Sequence, residues 1–131
     1  MVTVYSLGLG CELGCAPSEL LVLVEQVLSE VVQDHSQLTG VFTIDQRRDE
    51  PAIGGVAASL GVPLRTFDAT TLEAMTPRLL NPSKRVFALV GCHGVAEAAA
   101  LAGAGLGSRL IVGKTKSAHA TAALAVCDTN P

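Results

Sequence analysis

Four short stretches of this 131-residue chain hold most of its unusual polar chemistry: Gly8-Leu9-Gly10-Cys11, Asp45 to Glu50, Gly91-Cys92-His93-Gly94, and Gly113-Lys114-Thr115-Lys116. Together they supply thiols (Cys11, Cys92), an imidazole (His93), carboxylates (Asp45, Asp49, Glu50) and cations (Arg47, Arg48, Lys114, Lys116). Gly91 and Gly94 bracket a turn ahead of an Ala-rich segment. A helix starting there would offer free N–H groups to a phosphate or carboxylate. The same glycines would equally serve a tight turn that needs positive φ. Glu97 falls in the first turn of that helix, either as a charge–dipole contact worth about 0.3–1 kcal/mol or as a carboxylate aimed into a cleft. Lys114 and Lys116 alternate around Thr115, either as cations beside a cleft or as an exposed loop. The Asp45–Glu50 run reads as binding charges or as exposed ion pairs of little value, with Asp49 also able to cap the next helix.

Several chemistries fail on spacing. Gly8 and Gly10 begin a dinucleotide fingerprint that Gly14 does not complete, and Asp45 is the nearest acid to a ribose-binding position. No phosphate-loop signature is present. Cys11, Cys15 and Cys92-His93 lack the paired C-x-x-C spacing of zinc sites, and buried cysteine commonly behaves as a small hydrophobe. No metal or cofactor is therefore expected. Cys11 or Cys92 with His93 would make a nucleophile–base pair, although adjacent side chains need not point together. His35 and His119 fall in loops and receive no role.

The elements that must position these groups follow from periodicity. Val2 to Leu9 alternates as a first strand and breaks at the Gly8–Cys11 turn. Pro17 opens a helix with Glu19 in its first turn, apolar residues at 20, 21, 23, 24, 27, 28 and 31, and polar Glu25, Gln26, Ser29, Glu30 and Gln33 on the other face. A strand at Val41–Ile44 precedes a helix carrying Ile53, Val56, Ala57 and Leu60, with Gly61 at its C-cap. Leu64–Phe67 reads as a strand, Asp68 as an N-cap, Thr70–Met75 as a short helix and Thr76–Arg85 as a loop. The continuous apolar run Val86–Val90 fits a strand covered on both faces. A helix follows over Val95–Ala102, then strands at Arg109–Val112 and Thr121–Val126, the last free to run antiparallel. Alternating strands and helices give one α/β domain, 1–131, with a largely parallel sheet between helical layers. The loops after its parallel strands share one edge, where open α/β sheets bind ligands.

Composition narrows the partners. Nine Lys and Arg face twelve Asp and Glu, a net charge of -3, which excludes a basic nucleic-acid surface. Aromatics are 3% with no Trp, too few for stacking platforms. At 49% hydrophobic the chain can bury a core, so disorder is excluded. No apolar run reaches the roughly 20 residues of a membrane span. The start lacks a basic region and soon meets Glu12, so a reduced, cytoplasmic chain is expected.

In order, Gly8-x-Gly10-Cys11, Thr43-Ile44-Asp45-x-Arg47-x-Asp49-Glu50, Gly91-x-x-Gly94-Val95-x-Glu97-Ala98-x-Ala100-Leu101, Lys114-Thr115 and Thr121-x-Ala123-x-Ala125 resemble the cobalamin-biosynthesis family of free-standing CobE proteins and the matching C-terminal domain of CbiG. The resemblance spans nearly the whole chain. It implies a three-layer α/β/α sandwich with a mixed, mostly parallel sheet. It also implies a place in the oxygen-dependent route to the corrin ring, binding a precorrin or other corrinoid intermediate, with other pathway enzymes as further partners. The substrate-binding set becomes Gly8, Gly10, Asp45, Arg47, Asp49, Glu50, Gly91, His93, Gly94, Lys114, Thr115 and Lys116, with a hydrolytic or isomerising role for Cys11 and Glu97. In longer family members the fused enzyme opens a lactone and releases acetaldehyde, but this chain has no room for the extra domains. Glu12 and Leu13 stand where basic residues are frequent in the family, Arg47 stands where Lys is common, and His93 occupies a variable place. A phosphate- or nucleotide-binding module at the Gly91 turn and a non-catalytic subunit docking on a larger pathway enzyme are the alternatives.

Overall fold

The protein, seen as a computed structural model, is described for residues 2–129 except 30 and 33, and by backbone alone at 2, 35 and 129. Glu30 and Gln33, assigned above to a polar helix face, thus lie outside the described residues. Five strands form one sheet in the order β3-β2-β1-β5-β4, with β1 Val2–Cys11, β2 Leu38–Ile44, β3 Leu64–Phe67, β4 Arg109–Lys116 and β5 Ala120–Thr129. β1, β2 and β3 pair in parallel, and β5 runs antiparallel between β1 and β4. The mixed sheet is sandwiched by helices, which is the three-layer α/β/α class expected. No helix among the described residues is long and apolar enough to cross a membrane.

On one face lie α1 Pro17–Ser29 and α2 Pro51–Leu60, packed over Leu7, Leu9, Val41 and Leu124. Proline opens both helices, and Gly61 closes α2 in the left-handed conformation at φ 69°. On the other face α3 Ala69–Glu73 and α5 Val95–Ala104 cover Phe42, Ile44, Ala123 and Ala125. Strand alternation accounts for the division, since Leu7 and Leu9 point one way while Gly8 and Gly10 point the other. Asp68 caps α3 as expected, accepting from the Thr71 N–H at 2.7 Å.

α5 approaches β1 so closely that a Cβ on Gly8 would sit 1.9 Å from the Ala96 carbonyl oxygen. Small residues on both sides permit this: Ala96, Ala100, Ala123 and Ala125 are all buried there. The close approach aligns the start of α5 with the C-terminal end of β1, where Val95 lies beside Gly10.

Three expectations are corrected. Val86–Val90 is not a strand; it belongs to a short helix, α4 Lys84–Val90, capped by the Ser83 hydroxyl and closed by Gly91 at φ 87°. Capping at both ends decided what an all-apolar run left open. β1 does not break at Gly8 but continues through Cys11, because β5 pairs with it along its whole length. Lys114 to Lys116 is strand rather than loop, although β4 shifts register on either side of Val112.

Candidate functional site

The C-terminal ends of β1, β2, β3 and β4 share one edge with the β4–β5 turn, and three of the four sequence-selected stretches end there. The fourth reaches the edge from α4, whose axis makes a 78° bend with α5 at the Gly91–Gly94 turn. Gly94, extended at φ 179°, starts α5. Gln46 Nε2 donates to the Val90 carbonyl at 3.3 Å, tying the end of α4 to the loop after β2. A strap from Leu79 through α4 therefore runs along the edge, from beside β4 to the loop after β2.

Glu97 anchors this strap. Only 1% exposed, it accepts from the N–H groups of Leu80 (3.1 Å) and Asn81 (2.9 Å), from Asn81 Nδ2 (3.0 Å) and from the Lys114 N–H (2.9 Å). Such a carboxylate joins α5, the strap and β4, and its oxygens face protein donors rather than a cleft. The expectation of a cleft-facing Glu97 is corrected: the strap covers it. Lys114 lends its backbone N–H, while partial burial and neighbouring Lys116 push its ammonium down against the opposing pull of Glu97. The Thr115 hydroxyl donates to the Gly113 carbonyl at 3.1 Å. Lys116 ends β4 exposed.

Cys11 is half-buried at the end of β1, and its carbonyl accepts from Arg47 Nε at 2.8 Å. Burial, with further contributions from Cys15 and Glu50, pushes its thiol up to about 12, so Cys11 is a neutral thiol near pH 7 rather than a ready nucleophile. Burial also raises Cys15 and Cys92. Glu50 is buried, accepting from the Gly14 N–H at 2.8 Å, and thereby fixes the first loop. Arg48 reaches Thr66 at 2.9 Å and exposed Asp45 at 3.2 Å, while Asp49 is solvent-facing. Gly8 and Gly10 are buried in strand–helix packing and do not line a cleft, because their Cβ positions are occupied by α5 and Thr121. Of the expected set, then, Arg48, Asp45, Asp49 and Lys116 keep solvent-facing groups, whereas Arg47, Glu50 and Glu97 shape the edge. Among the described residues, no three His, Cys, Asp or Glu side chains gather to hold a metal ion.

Two histidine–carboxylate pairs stand at this edge, and sequence reading found neither. Glu73 on α3 accepts from the His93 N–H (3.0 Å) and the Thr76 hydroxyl (2.8 Å), and pairs with His93 Nδ1 at 2.9 Å. These donors hold it below the ordinary carboxylate range, the His93 ring first. Phe87 of α4 stacks on His93 with ring centres 4.5 Å apart. On the opposite face, Glu19 of α1 accepts from the His119 N–H (2.7 Å) and the Ser117 hydroxyl, and pairs with His119 Nδ1 at 2.9 Å. Glu19 is pushed down to about 2 by the Ser117 hydroxyl and then His119, and His119 is raised by Glu19. The partners of this second pair are about a hundred positions apart, so no local spacing reveals them.

Residues 5–125 match the family model described as cobalamin synthesis G C-terminus. The chain belongs to this family. It is 51% identical over 119 residues to the protein CobE of a Sinorhizobium species, covering 91% of this chain and 77% of that one. It is 28% identical over 123 residues to the cobalt-precorrin-5A hydrolase of Priestia megaterium, covering 94% of this chain but 32% of the hydrolase. A crystal structure of CobE, a protein from the cobalamin biosynthetic pathway, superposes with a TM-score of 0.88 at 35% identity, over 100% of this chain and 95% of that one. The family's cobalamin-biosynthesis assignment thus rests on sequence and fold together, and the chain spans about a third of the hydrolase it resembles.

Proposed function

We propose that this cobalamin-biosynthesis family member binds a precorrin or related corrinoid intermediate along the C-terminal edge of its sheet, as a step of the oxygen-dependent route. The observation that carries the reading is α4. None of its residues is buried, and Leu89 (71% exposed) and Phe87 face solvent beside exposed Lys84 and Arg85, with exposed Leu80 just ahead. A precorrin is a large macrocycle with apolar faces and a rim of carboxylates. Such a ligand matches apolar side chains interleaved with cations. Arg48 and Lys116 add cations elsewhere along the edge. The chain's net charge of -3 opposes general attraction of a polyanion, so local placement of these cations must select it.

On this reading Glu97, Glu50 and Arg47 position the edge, while the neutral Cys11 thiol contributes shape rather than attack. Titration with metal-free and cobalt-containing corrinoid intermediates, followed by visible absorbance, tests it. Saturable binding that weakens at least about tenfold in Lys84→Glu/Arg85→Glu supports the site, as charge reversal at desolvated contacts requires. Binding unaffected by that change would move the ligand elsewhere. The exposed Leu80 and Leu89 also favour a second reading, in which α4 docks on a larger pathway enzyme. Co-purification lost in Leu89→Glu, with corrinoid binding absent, would select it.

A further inference from the structure

Two thiols stand together where β1 ends. Cys11 closes the strand, Cys15 follows across a tight turn, and the Cys11 thiol donates a hydrogen bond to the Cys15 sulfur. Both pack on the core beneath α1 and α2, Cys15 buried and Cys11 half-buried, so one sulfur of the pair is open to small reagents. In the turn the Cys15 N–H donates to the Glu12 carbonyl at 3.1 Å, and Gly14 takes the left-handed conformation at φ 76°. Two bonds latch this turn to the loop after β2. Arg47 Nε donates to the Cys11 carbonyl at 2.8 Å, and the Gly14 N–H donates to Glu50 Oε1 at 2.8 Å. The other cysteines are elsewhere: Cys92 lies with Phe42 and Ile44 on the α5 face, and Cys127 pairs with Val4 near the far end of β1.

We propose that Cys11 and Cys15 form a reversible dithiol–disulfide pair whose oxidation locks the turn between β1 and α1. The oxidant class is a low-molecular-weight disulfide. The Cys11 thiolate attacks one of its sulfurs, forms a mixed disulfide and expels one thiolate, which takes up the proton Cys11 has lost. Cys15, deprotonated in turn, attacks Cys11 and expels the other half. Two cysteines give up two electrons and two protons, and the added disulfide becomes two thiols. Excess thiol runs both steps backwards. Access places the mixed disulfide on Cys11 and makes Cys15 the sulfur that resolves it. Burial, with Glu50 acting on both sulfurs and Glu12 and Glu19 on Cys15, holds the thiols protonated against the pull of Arg47 on Cys11. Exchange is therefore slow at neutral pH and quickens as pH rises. Because both latches end in this turn, its oxidation state reaches the loop after β2. The proposal goes beyond the corrinoid reading and does not depend on it.

The test equilibrates the wild-type chain with oxidised and reduced glutathione, quenches it in acid, alkylates it in urea and digests it with trypsin. Cys11 and Cys15 share the peptide that ends at Arg47, whereas Cys92 and Cys127 fall on two other peptides. The expected product is the Arg47 peptide lighter by two hydrogens, with no alkyl group and no glutathione, while Cys92 and Cys127 stay alkylated. Its half-point should need a ratio of oxidised to reduced glutathione at least about tenfold lower than for the chain unfolded in urea, since the fold raises the effective concentration of one sulfur at the other. The rate should rise about tenfold per pH unit above neutrality, following the thiolate. Cys15→Ser should stop at the mixed disulfide on Cys11. Oxidation should slow amide hydrogen exchange across residues 12–16 and 46–50 in the wild type and in neither segment of Cys15→Ser. Four thiols still free in excess oxidised glutathione, a mixed disulfide that never resolves, a link to Cys92 or Cys127, a half-point no lower than in urea, or unchanged amide exchange would each overturn the proposal.

Discussion

The two histidine–carboxylate pairs are built alike and finished differently. In each, one carboxylate takes the backbone N–H and the Nδ1 of the same histidine together with a hydroxyl, Thr76 for Glu73 and Ser117 for Glu19. On the α5 face Phe87 stacks over the ring and leaves His93 only 26% exposed, so the pair fastens one end of the strap. On the α1 face nothing stacks on His119 among the described residues, and its ring stands open to solvent. The shared bonds orient both rings; what covers each ring decides whether the pair is packed into the fold, as His93 is, or left facing solvent, as His119 is. The same contrast separates the carboxylates of the edge, where Glu97 is enclosed by four donors and Glu19 is within reach of solvent.

Perturbations should sort along that contrast. The largest effect is expected from Glu97→Ala, which empties a buried site and takes the acceptor from the N–H groups of Leu80, Asn81 and Lys114 at once. About 4 kcal/mol should be lost in urea denaturation, and the Glu19–His119 side should keep its ring titration. Gly8→Ala comes next at about 3 kcal/mol, because α5 must back away from β1 to admit a methyl group. Removing the cover with Phe87→Ala should cost only about 1 kcal/mol. It should nevertheless speed hydrogen exchange across Lys84–Val90, making the closed pair resemble the open one.

The smallest effect is electrostatic. Glu19 titrates below its unfolded value of 4.5, so its contribution is full above 4.5 and fades as pH falls through about 2. His119 titrates above its unfolded value of 6.5, so its contribution is full below 6.5 and fades as pH rises through the higher folded value. The melting difference between wild type and His119→Asn should therefore be greatest between pH 4.5 and 6.5 and shrink on both sides. A difference that grows above pH 8 would contradict the pairing.

Much of the architecture is legible in the residues. Pro17 and the apolar spacing after it locate α1, and Leu64–Phe67 is the strand its composition implies. The expected convergence of loops on one sheet edge also matches the topology. What escapes is whatever depends on distant partners. Val86–Val90 is apolar enough for a buried strand, but Ser83 and Gly91 close it as a helix that the core never covers. Glu97 looks like a cleft carboxylate until the strap is folded over it, and only the tertiary donors reveal it as an anchor. Gly8 and Gly10 look like ligand glycines, whereas their lack of Cβ is spent on the approach of α5. His119 sits in an unremarkable turn, and its significance comes from a glutamate at the far end of the chain.

Hydrogen exchange on the wild-type chain, with and without a saturating metal-free corrinoid intermediate, tests the central claim most directly. The account predicts slowed exchange in α4 and in the loop after β2, the segments that Gln46 and Val90 join, with α2 unchanged. Uniform protection, or none at α4 while the corrinoid is demonstrably bound, would contradict a ligand seated along the C-terminal edge of the sheet.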